Sequence, residues 1–259
     1  MHELHHPLSL WGLFLSVLMG FKSFSYKETN LRFRVQHPEL LIREVLHQRK
    51  LLQAYIRSYP LFLTSLVPVP PLADAPPIAV EMHRASELTG VGPMAAVAGA
   101  LAEVAARTGG GVVENGGDIF LISDSPIVLG VYGGKTPLSS RVGFRIDPGR
   151  MPLAVCSSSG KMGHSWSFGK ADLVTVFARS GALADAAATL GGNLVSSPRD
   201  IEEALAYLCQ IPGIEAVWIE VDGKVGFQGN LPPLVKLEDG EFYRKITRDL
   251  RSGVRLEDL

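Results

Sequence analysis

From Pro93 to Arg107 the chain runs PMAAVAGALAEVAAR, a helical stretch built almost wholly of small side chains, with Gly109 to Gly111 at its exit. Side chains this small let another backbone approach closely, so the helix is expected to lie buried against a sheet or a second helix. Gly99 sits near its centre, where glycine costs stability unless something must lie against the backbone there. A second Ala-rich helix is expected over Gly181 to Leu190. The rest of the composition is that of a globular chain: of 259 residues, 46% are hydrophobic and 20% charged, which excludes disorder and a coiled coil. A net charge of −1 gives no general field for nucleic acid or an anionic membrane, so neither is expected as a partner. Cys156 and Cys209 fit a reducing, cytoplasmic setting.

Along the chain, Pro7 to Phe21 is apolar but too short to span a bilayer. No Lys or Arg precedes it and no small-x-small site follows before Lys22, which argues against a cleaved signal. Translation is expected to begin at Met19, which makes residues 1–18 an upstream extension, and residues 1–25 are expected to lie outside the folded domain. Asn30 to Gln36 alternates as a half-buried strand, and Glu39 to Tyr59 carries apolar residues at helical spacing until Pro60. Five prolines between Leu66 and Pro77 make that segment an extended strap. Val112–Val113, Ile119–Ser123 and Ile127–Tyr132 read as a strand meander. Further strands are expected at 142–146, 153–156 and 173–177, a helix at 198–209, and a hairpin from Ile214 to Phe227 turning at Asp222-Gly223. Strands outnumber helices without a βαβ rhythm, so the fold class is α+β, with one domain over 26–235 and a charged tail over 236–259.

Two apparent phosphate loops fail. In GVYGGKT (130–136) the glycine register is wrong by one and Pro137 follows; SSSGKM (157–162) lacks both the leading Gly and the hydroxyl after Lys161. Three other features hold chemistry. Glu114 to Asp118, ENGGD, is either a tight turn or a ligand cradle, in which Gly116 and Gly117 expose N–H groups between Asn115 and Asp118. Cys156 to Lys170 carries Ser157, Ser158, Ser159 and Gly160, hydroxyls and flexible N–H groups suited to phosphate or pyrophosphate oxygens, and His164, either a general base or a structural residue. Asp185 and Thr189 stand four apart on one helix face, where they offer hard oxygens to Mg²⁺ or serve the helix itself.

Together ENGGDI (114–119), the SSSG loop (157–160) and ADLVTVFARSGALADAAAT (171–189) resemble the ApbE-like superfamily, whose characterised members are FAD:protein FMN transferases. VGPMAAVAGALAE (91–103) and SSSGKMGHSWSFGKAD (157–172) are similar to a separate, uncharacterised branch, a likeness covering roughly residues 26–230. The resemblance implies an α+β fold with a mixed or antiparallel sheet and packed Ala-rich helices. It implies FAD held by Gly116, Gly117 and Asp118 and by Ser158, Ser159 and Gly160, Mg²⁺ held by Asp185 and Thr189, and a protein acceptor of unknown identity. The transferases place a catalytic His in a segment resembling Ser-His-Ile-x-Asp-Pro; this chain has none, and His164 follows Gly160 by four residues. The expected function is thus binding of FAD or a related pyrophosphate nucleotide with Mg²⁺, with FMN transfer using His164, or else a non-catalytic binding or assembly role on the same fold.

Overall fold

The computed structural model describes residues 9–10, 14–16, 20–130, 141–159, 170–237 and 248–249. In chain order the elements are β1 (Ser9–Leu10), β2 (Phe14–Ser16), β3 (Lys22–Tyr26), β4 (Thr29–Val35), α1 (Pro38–Ser58), α2 (Pro60–Thr64), α3 (Pro77–Thr89), α4 (Val97–Gly109), β5 (Gly111–Asn115), β6 (Asp118–Leu121) and β7 (Ile127–Gly130). There follow β8 (Val142–Ile146), β9 (Leu153–Ser158), β10 (Leu173–Ala178), α5 (Gly181–Leu194), α6 (Ile201–Leu208), β11 (Ile214–Val221), β12 (Lys224–Gly229), β13 (Leu234–Lys236) and β14 (Arg248–Asp249). The class is α+β, as the pattern of elements predicts.

Eight strands form one antiparallel sheet in the order β12-β11-β10-β9-β6-β5-β4-β3. A smaller sheet runs β13-β8-β7-β2. The large sheet is covered on both faces, which is why its inner strands read as continuous apolar runs rather than as alternations. Val113, Phe120, Val174 and Val176 pack on Leu41 and Val45 of α1, Ala102, Ala105 and Ala106 of α4, and Ala184, Ala187 and Ala188 of α5. On the other face Val112, Ile119, Val155, Phe177 and Trp218 meet Ile127, Leu129, Phe144 and Ile146 of the small sheet. The expected meander is therefore broken: β6 pairs with β9, while β7 crosses to the second layer and pairs with β8 and β2.

α4 and α5 meet as closely as their composition predicts. A Cβ on Gly99 would lie 2.1 Å from the Gly181 carbonyl oxygen, and one on Gly181 would lie 2.2 Å from that of Gly99. Each helix also holds the other's first turn. Gly99 N–H donates to Asp185 Oδ2 at 2.9 Å, and Gly181 N–H donates to Glu103 Oε2 at 2.7 Å. Both N-termini thus receive a carboxylate from across the contact, and α5 is capped in addition by its own Ser180, whose Oγ accepts from Leu183 N–H at 3.3 Å.

The hairpin turns at Asp222-Gly223, both at positive φ. α3 begins at Pro77, the last proline of the strap, since proline lacks only an N–H that the first helical turn leaves unused. The edge strand β3 starts at Lys22, ahead of the boundary drawn at residue 26, and β13 pairs with β8 through Lys236. No single helix among the described residues is long and apolar enough to cross a membrane.

The strap is fastened by a buried relay. His83 Nδ1 donates to the Val69 carbonyl at 2.8 Å, Tyr55 Oη donates to His83 Nε2 at 3.0 Å, and Leu72 N–H donates to Tyr55 Oη at 3.0 Å. Burial lowers the His83 pKa, offset in part by the Val69 carbonyl and by Glu87. A group whose folded pKa lies below its unfolded value of about 6.5 binds more protons when unfolded, so its stabilisation is present above that pH and lost below it. As the pH drops from 7 to 5 the wild type is accordingly expected to lose melting temperature relative to His83→Gln; equal slopes in the two proteins would remove His83 from the account.

Candidate functional site

Strand alternation brings the polar residues together. On β6 Asp118 shares its side with Phe120, which faces the helices, and on β5 Asn115 shares its side with Val113. The register that sets Ile119 opposite Val155 carries Asp118 opposite Cys156, and Ser158 lies two residues further along the same side of β9. Asn115, Asp118, Cys156 and Ser158 therefore line one end of the sheet beneath the first turns of α4 and α5. Between Asn115 and Asp118, Gly116 and Gly117 adopt φ of 65° and 106°, a tight turn in which Gly116 is exposed.

Hydrogen bonds fix this arrangement. Asn115 Nδ2 donates to the Ala98 carbonyl at 3.1 Å, tying the turn to α4, and Ser157 N–H donates to Asp118 Oδ1 at 3.3 Å. Asp185 accepts from Gly99 N–H and also from Ala98 N–H, the donors left open by the start of α4. Ser157 Oγ is paired with Thr175 Oγ1 at 2.8 Å. The hydroxyls of Ser158 and Ser159 are buried and have no partner among the described residues.

Two carboxylates share this end of the sheet and repel each other. Burial is the main force holding the Asp118 pKa well above the usual carboxylate range; the Asp185 charge adds to it, and the Cys156 thiol and Ser157 N–H offset part of it. Burial likewise raises Asp185 to about 7, against the two α4 amides that favour its ionised form. The Cys156 thiol is pushed up by burial and then by both carboxylates. A positive charge placed between the two would lower the cost of ionising them. Among the described residues no three His, Cys, Asp or Glu side chains converge as a closed metal cage.

Residues 21–211 match a family model described as AbpE bacteria. A UPF0280 protein of Methanococcus vannielii is 39% identical over 238 residues, covering 87% of this chain and 96% of the relative. One from Methanopyrus kandleri is 43% identical over 225 residues, covering 83% and 92%. The chain belongs to the UPF0280 family. That family is a branch of the ApbE-like superfamily. Among solved structures, the ApbE protein of Thermotoga maritima aligns over 80% of this chain and 96% of that one, at TM-score 0.49 and 13% identity.

In this UPF0280 member the structure gathers Asn115, Gly116, Gly117, Asp118, Ser157, Ser158, Ser159 and Asp185 at one end of the sheet. Thr189 lies one turn beyond Asp185 on α5, partly exposed. Gly160 and His164 lie outside the described residues. Three participants escaped the sequence reading: Cys156 beneath Asp118, Glu103 at the start of α5, and the α4 amides on Asp185. Gly99 carried the one signal for the last of these, a glycine that only a close backbone neighbour could justify.

Proposed function

We propose that this UPF0280 chain binds FAD or a related pyrophosphate nucleotide together with Mg²⁺ where the ENGGD turn, the end of β9 and the start of α5 meet. The observation that carries this is the pair of buried hydroxyls of Ser158 and Ser159, without a partner among the described residues, beside two mutually repelling carboxylates. Buried hydroxyls without partners are costly, and phosphate oxygens would satisfy them. The turn at Gly116 and Gly117, exposed at Gly116, adds N–H donors of the kind that cradle anions.

The donor set suits the metal. Asp118, Asp185 and Thr189 offer only oxygens, and Mg²⁺ commonly takes one or two carboxylates and completes its shell with water and substrate phosphate. Asp185 keeps lone pairs beyond those used by the α4 amides. When bound, the ion would neutralise charge on the pyrophosphate. His164 takes the role of proton acceptor for an acceptor hydroxyl, whose oxygen bonds to the FMN phosphorus as the pyrophosphate P–O bond breaks and AMP leaves. A second reading, binding without turnover, is favoured by one fact: Asp185 already has an architectural task as the cap of α4.

Added Mg²⁺ is expected to raise the melting temperature of the wild type, by about 2.7 kcal/mol of stabilisation at a hundredfold excess over Kd. Asp185→Ala is expected to show no such rise. Because that change also uncaps α4, Thr189→Val serves as a second variant, with a reduced shift on an intact fold. Equal shifts in all three proteins would remove Mg²⁺ from the site. The nucleotide is tested separately: added FAD is expected to leave the protein yellow after gel filtration, and a colourless protein would count against a flavin ligand.

A further inference from the structure

Between Leu66 and Ala75 the strap includes Pro68, Pro70 and Pro71, which have no N–H to give, and Val69 is its one buried side chain. Among the described residues two hydrogen bonds join this stretch to the rest of the fold, and both end on one pair. The Val69 carbonyl accepts from His83 Nδ1, and Leu72 N–H donates to Tyr55 Oη. The two ends are fixed by other means. Before the stretch, Ser65 lies so close to Gly92 that a Cβ there would stand 1.9 Å from the Ser65 carbonyl oxygen; after it, Ile78 and Ala79 of α3 are buried.

The closed arrangement needs a neutral imidazole. Tyr55 Oη accepts from Leu72 and gives its own hydrogen to His83 Nε2, which must carry no proton to receive it. A proton on Nε2 turns that acceptor into a second donor. The Tyr55 oxygen can then accept from it, but the Tyr55 hydrogen loses its acceptor and a cation stands buried against Tyr55, Tyr59 and Phe62.

We propose that the Tyr55–His83 pair is an acid-released latch: uptake of a proton at His83 Nε2 frees residues 66–75 while both ends and the surrounding helices stay in place. Burial holds the ring below its ordinary pKa in the closed form, against the Val69 carbonyl and Glu87. With the strap open the ring reaches water and titrates near its ordinary value of about 6.5. The open form therefore binds more protons, so closure is favoured above that pH and weakened below it.

The groups around the ring leave His83 to set this response. α1 presents Tyr55 and Tyr59, with Arg57 exposed, and α2 has no charged residue. On α3, Glu87 acts on the ring and Glu81 and Arg84 are exposed, while Asp74 of the strap is exposed as well. Glu103 and Arg107 of α4 bind each other, and Asp185 of α5 is turned to the α4 amides. The latch does not depend on the nucleotide site.

Amide hydrogen exchange on the full chain tests it, read by NMR as protection factors so that the intrinsic pH dependence cancels. From pH 7 to pH 5 the Leu72 amide of the wild type is expected to lose protection by up to about 25-fold, the limit for a ring that stays neutral while closed and titrates at about 6.5 while open. In His83→Gln, which takes up no proton at this position, Leu72 protection should hold level between the two pH values, whatever its size. In Tyr55→Phe it should be low already at pH 7. About 1 M urea should leave Leu72 exchange in the wild type unchanged while speeding that of the Gly99 amide, because local opening exposes little surface and global opening much. A wild type whose Leu72 protection does not fall overturns the proposal, as does a fall of the same size in His83→Gln or wild-type protection at pH 7 in Tyr55→Phe. A Leu72 amide that responds to urea as steeply as Gly99 overturns it equally, since the opening would then be global.

Discussion

Gly99→Val is expected to lower stability by about 4 kcal/mol and the melting temperature by roughly 10 °C, the largest loss from any single glycine on α4. The new Cβ would lie 2.1 Å from the Gly181 carbonyl oxygen and 2.8 Å from Asp185 Cβ, and the oxygen cannot turn away because it is backbone of α5. The helices must separate. Separation lengthens the bond from Gly99 N–H to Asp185 and that from Gly181 N–H to Glu103, so overpacking of about 1–3 kcal/mol is joined by lost capping of about 0.5–2 kcal/mol at each end. Gly149→Ala is the control, since it has ordinary φ and nothing within 4 Å of its Cβ position. Chemical unfolding of the two variants measures the difference. A Gly99→Val loss as small as the control's would mean that α4 and α5 do not touch as described.

His164→Asn is expected to abolish flavin transfer or FAD cleavage, by about 10²- to 10⁴-fold, while leaving FAD affinity nearly constant. A general base acts in the transition state and contributes little to ground-state binding, so the loss should fall on kcat and spare Kd. A structural histidine would behave differently. Asparagine cannot reproduce both ring nitrogens, so stability and affinity would then drop together. A wild type that binds FAD and turns nothing over, matched by an indistinguishable variant, would leave the binding role and end the transfer reaction.

The sequence made some parts of this molecule plain and hid others for identifiable physical reasons. Local chemistry was legible: the small-residue run announced a close helix contact, Asp222-Gly223 announced a hairpin, and ENGGD announced a turn that the structure places at positive φ. Pairing between distant strands was not. Nothing within Ile127 to Gly130 says that β7 belongs to a second layer, because apolar strands in a sheet covered on both faces look alike whichever neighbour they take. α3 was hidden behind its own first residue, as Pro77 reads equally as the end of an extended strap or the opening of a helix. Asp185 shows the same limit at the site. On its own helix it reads as a metal ligand or a dipole residue, whereas its observed partners belong to a helix 86 residues away.

The crossed carboxylate caps bear on when the site forms during folding. They join residues separated by 86 and 78 positions, Gly99 with Asp185 and Glu103 with Gly181. Contacts this distant require large loops to close first, and folding slows as mean contact separation grows. Bringing Asp185 up to Asp118 and the serines therefore carries the closure entropy of a long loop, and the site is expected to form late in folding. The Ala98 and Gly99 amides should exchange their hydrogens with solvent only through global opening of the chain. A ligand gripping these groups would for the same reason slow exchange across the core, far beyond the atoms it touches.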